Sequence, residues 1–237
     1  MPRITLDRQI GNLKDEILLL GSMVEQAVLN AVKTLRSGDM QAARTIYDDD
    51  SLINDKRFAI ENAILIIMAT QHPMARDLRL LAAMLEIINE LERMGDYGKG
   101  LAKITMKLHG QGFPISHAKY EEMAERGLKM LHDALTAFIE GNPNKASMIP
   151  QEDDYVDDLY QQIYRELMDT MIKDPAFIDQ ANLGMWAAHN LERLADRVTN
   201  ICERTVFIST GEMLEFDHTD DEEDDDEDDD EELNEDS

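Results

Sequence analysis

The sequence contains an internal repeat with a period of about one hundred residues. Residues 92–96 are Glu-Arg-Met-Gly-Asp, and residues 192–196 are Glu-Arg-Leu-Ala-Asp. Earlier in each half, Asp-Ser-Leu-Ile-Asn-Asp at 50–55 matches Asp-Asp-Tyr-Val-Asp-Asp at 153–158, an offset of 103 residues. Such a period indicates that one structural unit occurs twice in tandem. The same small fold must therefore account for each half.

Apolar residues in the first segment recur at alternating intervals of three and four, which is typical of a helix packed lengthwise against other helices. These residues are Ile10, Leu13, Ile17, Leu20, Val24, Ala27 and Ala31. The same periodicity, interrupted by proline and glycine, predicts six helices. Their expected ranges are 5–36, 39–70, 74–109, 115–140, 143–173 and 175–210. Because Pro150 falls inside the fifth range, that helix either begins late, at 149–150, or is kinked there.

Six helices and a twofold repeat predict an all-α fold of two tandem three-helix bundles. The first bundle is expected over residues 1–110 and the second over 111–210. Met84, Trp186 and Cys202 are expected in the core. As the single cysteine of the chain, Cys202 excludes an internal disulfide and a thiolate zinc cage.

The charge of the chain is concentrated at its C-terminal end. There are 50 acidic and 23 basic residues, for a formal net charge of −27, and 18 of the acidic residues lie in 211–237, which has no Lys or Arg. Residues 220–232 are 13 consecutive Asp or Glu, which repel one another and bury nothing. We therefore expect 211–237 to be a disordered, solubilising tail. The alternatives are contact with a basic partner surface and loose cation binding.

The overall composition narrows the choice of partners and compartment. Nucleic acid is not an expected partner, since phosphate backbones are bound by clustered Lys and Arg. The most apolar run, residues 63–70, is too short to span a bilayer, and the first residues have no apolar signal core. The sequence therefore predicts a cytoplasmic protein that is not integral to the membrane.

The repeated E-x-x-x-D motif places two carboxylates one turn apart on the same helix face. Asp50 and Asn54 have this spacing on the preceding helix, as do Asp153 and Asp157. Since consecutive helices of a bundle are antiparallel neighbours, the pairs can face each other and form a patch of oxygen ligands. Facing carboxylates repel unless a proton or a cation neutralises them. A hard ion such as iron(III), manganese, magnesium or calcium would suit such a patch. The alternative is a solvated helix face, with Arg93 and Arg193 pairing with the carboxylates.

Three segments carry a resemblance to a known family. They are Gln-His-Pro-Met-Ala-Arg-Asp-Leu-Arg at 71–79, Glu-Leu-Glu-Arg-Met-Gly-Asp at 90–96 and Glu-Arg-Leu-Ala-Asp-Arg-Val-Thr-Asn-Ile-Cys-Glu at 192–203. Over residues 1–210 the chain resembles the PhoU family of phosphate-transport regulators. The resemblance implies two three-helix bundles of spectrin-like, up-and-down helices, with metal ions on the bundle surface, in some cases as multinuclear clusters. Iron, manganese, magnesium and zinc are the candidate metals.

The resemblance also implies site residues. The metal candidates are Asp50, Asn54, Glu92 and Asp96 in the first half and Asp153, Asp157, Glu192, Asp196 and Asn200 in the second. Because Asn54 replaces an acidic ligand, the first site is expected to bind metal more weakly, and the first half has Gly100 at the position of Asn200. His189 is either a further ligand or a structural hydrogen-bonding residue. Arg76 and Arg79 either contact a partner or an anion, or only cap and pair locally.

The resemblance further implies a cytoplasmic homodimer that is a regulator and not an enzyme. It would damp the phosphate ABC transporter through its ATPase subunit, and keep a phosphate-sensing histidine kinase repressive when phosphate is plentiful. Two other hypotheses come from different classes of protein. One is a carboxylate-bridged di-iron enzyme on a helical bundle, whose usual Glu-x-x-His pairs are missing beside these motifs. The other is a helical scaffold without metal.

Overall fold

The structure is a computed structural model that describes residues 2–216. The acidic run at 220–232 lies outside the described residues, so the expectation of a disordered tail stays a prediction. Six long helices account for most of the described chain. They are α1 (Pro2–Ser37), α2 (Met40–Gln71), α3 (Ala75–Lys107), α4 (Ala118–Glu140), α6 (Asp153–Lys173) and α7 (Ile178–Thr210), with a single-turn helix, α5 (Pro143–Ala146), after α4. Residues 2–216 include no strand.

The predicted fifth helix, 143–173, is interrupted, and this part of the prediction was wrong. After α5, a short 3-10 helix spans Ile149–Glu152, and α6 begins only at Asp153. Pro150 lies at the start of the 3-10 helix, where its missing N–H costs nothing. The late start was therefore the better alternative, three residues further along than expected. A second 3-10 helix, Pro175–Phe177, likewise precedes α7.

Short polar and glycine signals end and restart the helices. Gly38 has φ of 68° after α1, and the side chain of the next residue, Asp39, accepts a hydrogen bond from the Ala42 N–H at 3.0 Å. Gly141 ends α4 in the left-handed region, with φ of 63°, and Asn142 then caps α5. At both places one helix ends and the next begins within a few residues, because glycine tolerates positive φ and Asp or Asn satisfies a free helix N–H.

The helices pack as two three-helix bundles, α1–α2–α3 and α4–α6–α7, which confirms the predicted fold class. One continuous hydrophobic core extends through both. Met84 and Cys202 are fully buried in it, whereas Trp186 is 53% exposed, so the expectation of a buried tryptophan was wrong. The predicted division at residue 110 falls in the connection between α3 and α4 and stays a prediction.

The two bundles are joined chiefly along α3 and α7. Arg197 donates a hydrogen bond from Nε to the Tyr97 hydroxyl at 3.2 Å and lies 3.8 Å from the Glu90 carboxylate. The backbone at Gly100 approaches Asn190, whose amide would lie 3.2 Å from a Cβ at that position. Residue numbers thus rise along α3 as they fall along α7, so the two helices run antiparallel. The motifs of both halves lie near the middle of this contact.

Candidate metal centres

In the second half, the structure brings three aspartates together. Asp153 and Asp157 lie one turn apart at the start of α6, and Asp196 lies opposite them on α7. One carboxylate oxygen from each lies within 4.8 Å of the other two. Asp153 is only 9% exposed. This is the arrangement expected from the i, i+4 spacing on antiparallel helices.

The electrostatics of this cluster favour a bound proton or cation. Burial, followed by the charges of Glu192 and Asp153, raises the pKa of Asp196 to about 8, although Arg193 acts in the opposite direction. An Arg193 nitrogen lies 4.0 Å from the Asp196 carboxylate, too far for a strong charge-assisted hydrogen bond. The repulsion among the carboxylates is therefore only partly compensated by the protein itself.

Glu192 lies one turn before Asp196 on α7, and its charge contributes to the raised pKa of Asp196. Glu192 is buried, at 6% exposure, and one of its oxygens lies 3.4 Å from Nδ1 of His189. The imidazole also packs edge-on against the exposed Trp186, with ring centroids 5.9 Å apart. The structure therefore places His189 beside the cluster, in contact with Glu192, which fits the hydrogen-bonding role as well as the ligand role.

In the first half, the corresponding residues meet in a different way. Asp50 is buried at 6% exposure and accepts a hydrogen bond from the Asn54 amide at 3.3 Å. The same Asp50 oxygen lies 3.3 Å from the ammonium of Lys99. Desolvation, then Glu92 and Asp50, raises the pKa of Asp96 to about 6. Within residues 2–216, a close group of three carboxylates was found in the second half but not here.

Asn200 has a different neighbour from the aspartates of the second half. Its side chain lies near the carboxylate of Glu90 on α3. Burial raises the Glu90 pKa, and the Asn200 side chain together with the charge of Arg197 partly offsets the rise. Asn200 is therefore placed at the contact between the bundles, and its proposed ligand role remains a prediction.

The two arginines of the 71–79 segment lie at the start of α3. Arg76 is exposed, and Arg79 is partly buried. Arg79 packs beside Gly211 at the end of α7, where a Cβ on the glycine would lie 3.6 Å from the guanidinium carbon. The Arg79 Nε atom is buried and has no hydrogen-bond partner among the described residues. Arg79 thus contributes to packing between the bundles, while Arg76 is accessible to a partner.

The residue that sequence reasoning missed is Lys99. The aligned repeats carry the signal, because position 99 is Lys in the first half and the matching position 199 is Thr. Lys99 and Asp50 also line an open cavity of about 450 Å³ among α1, α2 and α3, whose walls include Met23, Gln26 and Ile46. The cavity therefore opens beside Asp50, which together with Glu92 and Asp96 forms the first carboxylate cluster.

Comparison with known proteins gives the family. The model described as the PhoU domain matches residues 17–105 and again 120–205. A relative from Clostridium acetobutylicum, the phosphate-specific transport system accessory protein PhoU homolog, is 32% identical over 91% of this chain and 99% of its own length. The accessory protein PhoU of Escherichia coli K12 is 30% identical, covering 86% of this chain and 85% of its own.

Solved structures agree with these sequence matches. The crystal structure of PhoU from Pseudomonas aeruginosa has a TM-score of 0.81 at 29% identity, and covers 87% of this chain and 99% of its own. That of the phosphate transport system regulatory protein PhoU from Streptococcus pneumoniae has a TM-score of 0.82 at 32% identity, covering 89% and 100%. Among the described residues, no helix combines the length and apolarity that crossing a bilayer requires. With both repeats matched in order and the same fold, the chain belongs to the PhoU family.

Proposed function

We propose that this chain is a regulatory accessory protein of phosphate-specific transport, and that it restrains uptake and the phosphate-starvation response when phosphate is plentiful. The observation that carries the proposal is the family match over both halves of the chain. Relatives that span nearly the same length are named accessory or regulatory proteins of phosphate transport. The same names also support the proposal that this chain is a regulator and not an enzyme.

The proposed metal centre is the second carboxylate cluster. Asp153, Asp157 and Asp196 offer three oxygens within 4.8 Å of one another, and oxygen-only sets fit magnesium, manganese or iron better than zinc. The raised pKa of Asp196 supports this assignment because burial, and after it the repulsion of neighbouring carboxylates, disfavours an uncompensated charge that a cation would offset. When bound, the ion would supply positive charge where three carboxylates converge.

The residues of the chain then determine what such a site does. Asp153 and Asp157 belong to the first turns of α6, and Asp196 lies in the middle of α7. Neutralising the three together would therefore stabilise the contact between these helices in the second bundle. We propose that the surface thus stabilised docks onto the transporter ATPase subunit or the cytosolic helices of the histidine kinase, in the cytoplasm and as a homodimer.

Complementation tests this function in a bacterial host that lacks its own PhoU. The reporter is alkaline phosphatase, an enzyme made under phosphate starvation, assayed in phosphate-rich medium. We expect the full chain to restore repression, and the combined substitution Asp153→Asn, Asp157→Asn and Asp196→Asn to weaken it. Asp158→Asn, on the exposed side of α6, is the matched control. High phosphatase activity despite folded, well-expressed protein would contradict the regulatory role.

Binding assays separate the partners. Purified full chain is mixed with the transporter ATPase subunit or with the cytosolic part of the kinase, with and without Mn²⁺. Binding to neither would remove the docking proposal. Binding that does not depend on Mn²⁺, and that the three Asp→Asn substitutions leave unchanged, would favour the metal-free scaffold.

The di-iron enzyme gains no support from the described residues. The close group in the second half consists of three aspartates, with no histidine among them. Oxygen consumption by the iron-loaded protein would be needed to restore this hypothesis.

A further inference from the structure

The first carboxylate cluster already contains a cation that belongs to the chain. The Lys99 ammonium lies 3.3 Å from a carboxylate oxygen of Asp50. It also lies 5.1 Å from the centre of the Tyr47 ring, within the range of a cation–π contact. Two groups on α2, the Asp50 carboxylate and the Tyr47 ring one turn before it, thus hold the ammonium of Lys99, which projects from α3.

This ammonium is charged under ordinary conditions, since lysine side chains ordinarily carry their charge at neutral pH and an adjacent carboxylate favours the charged form. The group therefore contributes a full positive charge to the cluster at neutral pH.

The internal repeat supplies a comparison within the same molecule. At the offsets of the two repeats, Lys99 corresponds to Thr199, and Tyr47 corresponds to Pro150. Thr199 is 2% exposed, and its hydroxyl has no hydrogen-bond partner within the part of the chain that the structure describes. The second half therefore retains the carboxylate, at Asp153, but lacks both the ammonium and the aromatic ring.

The charge balance of the two clusters differs accordingly. Three carboxylates and one ammonium give the first cluster, at Asp50, Glu92, Asp96 and Lys99, a formal charge of −2. Four carboxylates give the second, at Asp153, Asp157, Glu192 and Asp196, a formal charge of −4. Arg93 and Arg193 occupy equivalent positions and do not change this difference.

We propose that Lys99 takes the place of a metal ion in the first half, so that the chain binds metal through the second cluster alone. A divalent cation at the first cluster would have to separate Lys99 from Asp50 and then remain close to the displaced ammonium. This conclusion departs from the family resemblance, which implied metal ligands in both halves. It rests on the proposed metal centre only for the assignment of the second site.

The arrangement has a consequence for regulation. Because a covalently attached lysine supplies positive charge to the first cluster at any metal concentration, the α2–α3 contact is independent of the ion. The α6–α7 contact alone then responds to metal, so a metal signal enters through one bundle.

Mn²⁺ binding to the full chain tests the proposal, with free Mn²⁺ measured by electron paramagnetic resonance. The acidic tail is kept in every variant so that its loose binding is constant. Trp186 is the single tryptophan and packs on His189 beside the second cluster, so quenching of its fluorescence reports that site. We expect one tight class of sites in the unmodified protein, with quenching, and its loss in the combined Asp153→Asn, Asp157→Asn and Asp196→Asn variant.

The decisive variant is Lys99→Thr, which installs the residue of the second half. We expect a new class of sites that binds Mn²⁺ at least tenfold more tightly than the first half of the unmodified protein does. It should persist when the second cluster is removed and disappear with Asp50→Asn. Lys99→Met, which retains the apolar stem, should behave in the same way. Lys103→Thr, one turn further along α3, is the matched control and should add no site. Circular dichroism verifies folding.

The outcomes separate the two proposals. The role of Lys99 would be overturned if a protein with Lys99 intact still bound Mn²⁺ tightly after loss of the second cluster, and if Asp50→Asn removed that binding. Unchanged binding in both Lys99 variants would also overturn it. Tight binding that appears only after Lys99 is replaced would support the role of Lys99 and contradict the proposed second site.

Discussion

Replacing Asp196 with asparagine should stabilise the metal-free protein at alkaline pH. The pKa of this carboxyl is raised from an ordinary 3.8 to about 8 by burial and by neighbouring carboxylates. The folded state therefore holds the proton more tightly than the unfolded chain does. The stabilisation by the protonated group is complete below about pH 4 and is lost as the pH rises through 8. An asparagine side chain at this position would have nothing to ionise.

The structure bounds the size of this effect. At about 1.4 kcal/mol per pH unit, the interval between the two pKa values corresponds to at most about 6 kcal/mol. The Asp196 side chain is 17% exposed, and solvent and salt reduce the repulsion. We therefore expect Asp196→Asn to gain about 2–3 kcal/mol over the unmodified protein at pH 8.5, which is a rise in Tm of roughly 5–10 °C for a chain of this size. At pH 5 the two proteins should differ little.

Thermal and urea unfolding in the presence of a chelator, at pH 5 and at pH 8.5, measure this difference. The exposed substitution Asp158→Asn controls for the loss of one acidic charge. Adding Mn²⁺ at one hundred times its Kd should then stabilise the unmodified protein by about 2.7 kcal/mol, and Asp196→Asn by much less. If Asp196→Asn were no more stable than the unmodified protein at pH 8.5, the cost of ionising Asp196, from burial and from the neighbouring carboxylates, would be absent.

Three further predictions concern contacts outside the clusters. Arg197→Met leaves Glu90 partly buried without its cation, so urea unfolding should show a loss of about 2–3 kcal/mol in the free energy of unfolding. Adding Glu90→Gln should recover part of this loss, and no recovery would mean that the pair is not coupled. Glu203 accepts a hydrogen bond from the Phe216 N–H at 2.7 Å. Glu203→Ala should therefore speed amide hydrogen exchange at Phe216 about tenfold, and unchanged exchange would show that other contacts hold residues 211–216. Leu191→Ala removes a fully buried side chain and should cost about 2–5 kcal/mol in the same unfolding assay, whereas a loss below about 1 kcal/mol would show that the core collapses around the cavity.

The helix break near Pro150 shows a limit of local sequence patterns. Proline is compatible both with the first turn of a helix and with a kink inside one, so the sequence left both alternatives open. The structure has a 3-10 helix there and begins α6 at Asp153. This start places the first aspartate of the second cluster in the opening turn of its helix.

The sequence by itself determined the helices, their faces and the repeat, because apolar periodicity and i, i+4 spacing are properties of a single helix. It thereby predicted two bundles, and the motif spacing predicted the second carboxylate cluster. Only the tertiary structure decided which side chains from different helices meet. The pairing of Lys99 with Asp50, the contact of Asn200 with Glu90 and the exposure of Trp186 depend on how each helix is rotated and shifted against its neighbours. Packing of the whole core sets those rotations, and it places Lys99, which has no basic counterpart in the second half, against Asp50.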